Sequence, residues 1–282
     1  MFNLGFIWSL FSGVSSQVFD KLTHSIKAGP VDDAQRSGLM VQKIGSTAMI
    51  TMSGPMLKQA GWLINYGFAG TQETEEALLA AVNDNEVDSI LWMIDSAGGS
   101  VDGLDSLYNT AKSVNKEKKI TVQVDGMLAS AALYVASAAD EIYANRRDLI
   151  GSIGARMMLY DYSAMFNGAG IKAIPIDTGE FKSAGAMGLE ITEAQIKEFQ
   201  KIVDGYFADF SEAVLEGRPI SKEDFNAIAD GRIFFADEEP VKTGLITGIR
   251  STRQALSDML ARGDSISGSR LTAQARLKML DI

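Results

Sequence analysis

The chain has 282 residues, of which 46% are hydrophobic and 22% are charged, a composition typical of a globular protein with one large or two small domains. The net charge of −10 argues against a broad basic surface that binds nucleic acid. The absence of cysteine excludes disulfides, thiol nucleophiles and thiolate metal sites, and the single histidine, His24, excludes histidine-rich zinc sites.

The first residues, MFNLGFIWSLFSGVSSQVF, are apolar but are interrupted by serines, and no Lys or Arg precedes Lys21. This pattern fits neither a secretory signal nor a spanning helix of about 20 apolar residues. We therefore expect residues 1–44 to form an arm and a polar linker, in which the arm packs on a partner subunit. Contact with a membrane surface is the lesser alternative.

Strands alternate with helices over the next hundred residues. VDSILWMIDS is a near-continuous apolar run, as in a strand that is buried on both faces. The alternation predicts crossover connections and a parallel sheet, that is, an α/β fold. The predicted order is strand 47–54, helix 71–84, strand 87–96, helix 103–116, strand 118–126 and helix 130–139.

The second half is less regular. RMMLYDYSAMFNGAG and IKAIPIDTGEF predict strand, helix and strand over 156–181. Thr192 followed by Gln195 is a capping-box pattern that opens a long helix, and DGRIFFADEEPVKTGLITGI predicts a strand and then a helix. Residues 251–282 predict a helical tail in two pieces, with an excess of basic residues; an interaction tail is the alternative to a solvated one.

The stretch IDSAGGSVDG ends a buried strand in Gly98 and Gly99. Paired glycines let the backbone turn tightly and expose N–H groups. In open α/β sheets, ligands bind outside the carboxyl ends of the strands, where this turn lies. An ordinary strand–helix turn is the alternative.

Ser130 follows the next strand and begins a small-residue helix, DGMLASAALYVASAAD. Its hydroxyl is expected at the carboxyl edge of the sheet, beside the N–H of Ala131. That N–H and one from Gly99 or Gly98 are candidates for an oxyanion hole, in which each donor contributes about 2.7–4 kcal/mol. A helix N-cap, worth about 1 kcal/mol, is the alternative role for the serine.

A serine nucleophile needs a base, and His24 lies outside the predicted core, so no Ser-His-Asp triad is expected. Lys182, in DTGEFKSAG, can act as the base if burial lowers its pKa towards neutrality. A surface lysine is the alternative, and residue chemistry by itself favours it.

The motifs IDSAGGSVDG, DGMLASAALYVASAADEIYA, IGSIGA, DTGEFKSAG and DGRIFFADEEPVKTGLI occur in this order over residues 45–250. Together they resemble the signal peptide peptidase family of serine–lysine proteases, in the Clp/crotonase-like superfamily. The resemblance implies a crotonase-like parallel sheet wound with helices, as a single main domain over residues 45–250. It also implies a serine endopeptidase that needs no metal or cofactor.

The resemblance assigns a role to each motif. Ser130 is the expected nucleophile, Lys182 the general base and Ser152 the residue that holds the lysine amine. Gly99, with Gly98 beside it, is the expected oxyanion donor together with Ala131. In some relatives the serine and lysine of one site come from neighbouring subunits, which implies a ring or another closed homo-oligomer.

Two departures from the family pattern stand out. Ala97 replaces the usual proline before the paired glycines, and we expect the oxyanion hole to survive this change. The N-terminus does not resemble a membrane anchor, which is typical of the phage-encoded branch that processes scaffold and capsid proteins during head assembly. That branch implies action in the cytoplasm or in an assembling head. The alternatives are a cellular peptidase that degrades signal peptides and a catalytically silent scaffold subunit with the same fold.

Overall fold

The structure is a computed structural model that describes residues 41–267, with side chains described as far as residue 260. The expected N-terminal arm, His24 and the second piece of the C-terminal tail lie outside the described residues.

Strands and helices alternate in the first half of the described chain, as the sequence predicts. The elements are β1 (Val41–Ile44), β2 (Thr47–Ser53), β3 (Met56–Leu57), β4 (Ala69–Gly70), α1 (Thr71–Asn83), β5 (Ser89–Ser96), α2 (Leu104–Glu117), β6 (Ile120–Ala129), α3 (Ala131–Ala136) and β7 (Glu141–Ala144). A 3₁₀ helix, Gly61–Tyr66, connects β3 to β4.

The second half contains longer helices and shorter strands. Its elements are β8 (Leu149–Gly151), α4 (Ser163–Gly168), α5 (Glu193–Gly217), α6 (Lys222–Ile228), β9 (Ile233–Phe235), α7 (Glu239–Lys242), β10 (Gly248–Ile249) and α8 (Thr252–Ser267). The predicted capping box is present at α5, where the Thr192 side chain accepts from the Gln195 N–H and the Gln195 side chain accepts from the Thr192 N–H.

The main sheet has eight strands, in the order β1-β2-β5-β6-β7-β10, with β8 paired to β6 and β9 paired to β8. The pairs β2–β5, β5–β6, β6–β7, β6–β8 and β7–β10 are parallel, while β1–β2 and β8–β9 are antiparallel. The predicted α/β fold with a mainly parallel sheet is therefore confirmed.

The central strand β5 is buried on both faces, as its apolar sequence predicts. On one face Trp92 lies in the main core with residues of α1, α2 and α3. On the other face Leu91 and Met93 pack against Met259 and Leu260 of α8.

Helix α3 is short but is buried along its whole length. Tyr134 packs between Tyr108 of α2 and Phe210 of α5, with ring centroids 5.3 and 5.6 Å away. Helix α3 is therefore held by aromatic contacts with two other helices.

One local prediction is wrong. The strands predicted on either side of α4, within 156–181, do not form, because these segments meet no neighbouring strand in the described chain to pair their backbone groups. Of the predicted break within GDSISGSR, residues 263–267 are described and belong to α8, while residues 268–270 lie outside the described residues.

Candidate active site

Ser130 lies at the junction between β6 and α3, in an unusual backbone conformation. Its φ is 51° and its ψ is −126°, whereas non-glycine residues seldom have positive φ. Such a conformation costs about 1–3 kcal/mol and persists only where the surroundings enforce it. Although Ser130 occupies the N-cap position, its hydroxyl makes no capping hydrogen bond. The N-cap role does not explain this serine.

Gly98 lies directly against Ser130. A Cβ built on Gly98 would be 2.7 Å from the Ala131 nitrogen, 2.8 Å from the Ala129 oxygen and 2.8 Å from the Ser130 Cβ, and its φ is +87°. Only glycine fits this contact without displacing backbone. The structure thus brings the double-glycine turn and the serine together, as the sequence predicts.

The two glycines differ in what their N–H groups do. The Gly98 N–H donates to the Ser96 hydroxyl at 3.1 Å and is thereby used within the turn. Neither the Gly99 N–H nor the Ala131 N–H has an acceptor among residues 41–267. Gly99 is itself backed by β3, since a Cβ built on it would lie 2.1 Å from the Met56 oxygen. This leaves Gly99 and Ala131 with N–H groups free to bind a ligand oxygen.

Ser152 is the second non-glycine residue with positive φ, at 52°. Its N–H donates to the Arg232 carbonyl oxygen at 2.7 Å. The preceding carbonyl, of Gly151, accepts the Ser130 N–H at 2.9 Å. The residue directly before Ser152 is therefore hydrogen-bonded to Ser130, which places the two serines at the ends of neighbouring strands.

Lys182 is not brought to this place within one chain. It is exposed, its own N–H donates to the Gly179 carbonyl oxygen, and no hydrogen bond joins its amine to Ser130 or Ser152 among the described residues. The buried amine that the sequence argument requires is not seen in the isolated chain.

Lys182 belongs to a long segment, residues 154–209, in which no residue is buried. The segment has local order, since Asp161 accepts the N–H groups of Ser163 at 2.8 Å and Ile191 at 3.1 Å. Even so, it exposes large apolar side chains: Met157, Met158, Tyr160, Tyr162, Met165, Ile171, Ile174, Ile176, Phe181, Met187, Ile196, Ile202 and Tyr206. Exposed apolar side chains that form a large contiguous patch are typical of surfaces that bind other proteins or membranes.

Two carboxylates beside the path of β6 towards Ser130 were not found by sequence reasoning. Burial raises the pKa of Asp95, and the nearby charge of Asp125 adds to this effect. The hydrogen bond from the Met127 N–H acts in the opposite direction and lowers this pKa. Burial likewise raises the pKa of Asp148. The sequence feature that could have pointed to Asp95 is its position immediately before the SAGG turn.

Comparison with known proteins gives the family. The model of peptidase family S49 matches residues 112–264, a stretch that includes Ser130, Ser152 and Lys182. The chain belongs to peptidase family S49. The resemblance inferred from the motifs is confirmed as far as the peptidase family is concerned.

The relatives include cellular and phage proteins. A "putative protease" of Methanocaldococcus jannaschii is 31% identical over 62% of this chain and 56% of its own length. Protease 4 of Haemophilus influenzae is 26% identical over 67% of this chain and 31% of its own length. Capsid assembly protease C of Escherichia phage lambda is 24% identical over 87% of this chain and 56% of its own length. Thus the matched stretch spans 31–56% of the length of these relatives.

Residues 41–267 show neither a metal site nor a membrane-spanning helix. The described side chains contain no group of carboxylates and histidines that can hold a metal ion. None of the described helices combines the length and the apolar character that crossing a membrane requires.

Proposed function

We propose that this S49 peptidase is a serine endopeptidase in which Ser130 is the nucleophile, Lys182 the general base and Ser152 the residue that orients the lysine amine. The observation that carries the proposal is the strained Ser130, whose hydroxyl caps nothing and which adjoins the free N–H groups of Gly99 and Ala131. A strained residue of this kind is typical of an active site.

In the first step the Ser130 Oγ attacks the peptide carbonyl carbon and Lys182 takes the hydroxyl proton. The negative oxygen of the tetrahedral intermediate accepts hydrogen bonds from the N–H groups of Gly99 and Ala131. Loss of one such donor lowers kcat by about 10²–10³-fold in serine proteases. Collapse of the intermediate expels the amine, which receives the proton from Lys182, and water then hydrolyses the acyl-enzyme.

We propose that Lys182 reaches Ser130 from a second copy of the chain, in a closed homo-oligomer. Among the described residues no hydrogen bond joins the Lys182 amine to Ser130 or Ser152, and the segment that carries Lys182 has no buried residue. Packing its apolar side chains against another copy would remove them, and the nearby amine, from water.

A mixing experiment tests this arrangement. Ser130→Ala and Lys182→Ala are each expected to be inactive. Co-assembled in equal amounts, they should regain about a quarter of wild-type casein cleavage, because about a quarter of the sites then combine an intact serine with an intact lysine from a neighbour. Mixed assemblies without activity would refute a site shared between copies, whereas activity in either single variant would refute the catalytic pair.

For the physiological substrate we propose scaffold or capsid proteins during head assembly, which places the enzyme in the cytoplasm or in the assembling head. This rests on the phage lambda relative, whose match covers 87% of this chain. The M. jannaschii relative, at 31% identity, favours a cellular peptidase instead. Cleavage of a folded scaffold-type protein at a few sites would support the first substrate, and preference for short apolar peptides would support the second. A correctly assembled protein that shows neither of these activities would be a silent scaffold subunit.

A further inference from the structure

Strand β6 changes its register against β5 shortly before Ser130. The pairs Ile94–Val124 and Ser96–Leu128 are two positions apart on β5 but four apart on β6, so β6 carries an irregular stretch here. At the same stretch β6 exchanges β7 for β8 as its neighbour. The geometry of this stretch therefore decides where β6 places Ser130.

A side chain of β5 bridges this break in the ladder. The Asp95 Oδ1 accepts the Met127 N–H at 3.0 Å. Gly126 has a φ of +127°, and a Cβ built on it would lie 2.6 Å from the same oxygen, so glycine at this position makes room for the carboxylate. The N–H of Met127, in the irregular stretch, is thus held by a carboxylate of β5.

We propose that Asp95 is a positioning residue for the reaction assigned to Ser130, an inference that rests on the proposed function. Asp95 lies three residues before Gly98, and its partner Met127 lies three residues before Ser130. The hydrogen bond therefore ties the strand that ends in the glycine turn to the strand that ends in the nucleophile, at the point where the backbone ladder is interrupted. The close contact of Gly98 with Ser130 depends on that alignment.

The role requires an acceptor oxygen at this place and does not require a charge. Asparagine keeps an Oδ1 for the Met127 N–H, whereas alanine removes it. A second route to the same loss is Gly126→Ala, because its Cβ would displace the Asp95 carboxylate. Asp84→Ala is a matched control, since Asp84 also accepts a backbone N–H, that of Glu86 at 2.8 Å, but in the loop before the opposite end of β5.

The test measures kcat and KM for labelled casein, and the rate at which a small fluorophosphonate labels Ser130, in the full-length variants below their unfolding temperatures. Displacement of a reacting group by about 1 Å can cost about 10²-fold in rate, so a smaller shift is expected to cost about tenfold. We expect Asp95→Ala and Gly126→Ala to lower kcat and labelling about tenfold with little change in KM. Asp95→Asn should stay within about twofold of wild type, and Asp84→Ala should be unchanged.

Wild-type kcat in Asp95→Ala, or an Asp95→Asn variant as slow as Asp95→Ala, would overturn the positioning role while leaving the proposed function intact. A correctly assembled wild type that neither cleaves casein nor reacts with the fluorophosphonate would overturn the proposed function, and this inference with it.

Discussion

Replacing Gly98 with alanine should disable the site and leave the core folded. The new Cβ would lie 2.7 Å from the Ala131 nitrogen and 2.8 Å from the Ala129 oxygen, both backbone atoms. Ordinary contacts of this kind are at about 3.4 Å or more, so the glycine turn must move away from Ser130 by about 0.6–0.7 Å. This displacement acts on the nucleophile and on the Ala131 N–H together. We expect kcat to fall about 10- to 100-fold.

The stability effect separates into two parts. An alanine at a φ of +87° costs about 1–2 kcal/mol by itself, and the steric contact adds to that. Gly67→Ala is the matched control, because Gly67 has a φ of +79° but nothing lies within 4 Å of its built Cβ. Urea unfolding should show a similar backbone cost in both variants, with an additional cost only at Gly98.

Fluorophosphonate labelling supplies the activity readout for both variants. Gly67→Ala should be labelled at the wild-type rate, and Gly98→Ala about 10- to 100-fold more slowly. Equal labelling rates in Gly98→Ala and wild type would show that the turn does not contact the reacting serine in solution, and the reasoning would fail.

Other expectations concern the core and the segment 154–209. Burial raises the pKa of Tyr108 and of Tyr134 to about 12, against 10 in the unfolded chain, so between pH 10 and 12 the unfolded chain releases protons that the folded chain keeps. Stability should therefore fall as the pH rises through this range, and phenylalanine at either position should flatten that slope in chemical unfolding; an unchanged slope would contradict the burial argument. Leu133→Ala, at a fully buried position in α3, should cost about 2–5 kcal/mol of unfolding free energy, and a loss under about 1 kcal/mol would be inconsistent with that packing. Ile176→Asp, at a side chain that is 96% exposed, should reduce assembly and casein cleavage while the circular dichroism spectrum is retained; unchanged sedimentation would show that this part of the segment contacts no other copy.

The elements that pack against one another along the chain were predictable from the sequence. The continuous apolar run of β5 predicts a buried strand, and both β5 and α1 form within one or two residues of the predicted limits. The adjacency of Gly98 and Ser130 was also predictable, because both follow strands that end at the same edge of a parallel sheet.

The remaining features depend on interactions that local sequence does not record. Apolar runs within 156–181 predicted strands, but a strand forms only where a neighbour pairs with it, and none lies there in the described chain. The register change in β6 was not predictable, because a bulge depends on how two strands fit together. Gly126 is the sequence feature that accompanies it. Lys182 is exposed in the described chain, so neither the sequence nor this structure shows a buried environment for its amine.

The central claim is that Ser130 is the nucleophile, and peptide mapping by mass spectrometry after fluorophosphonate treatment tests it most directly. The account predicts one adduct per chain, located on Ser130, together with loss of casein cleavage in proportion to labelling. An adduct on a different serine in the active protein, or undiminished cleavage by Ser130→Ala, would contradict it.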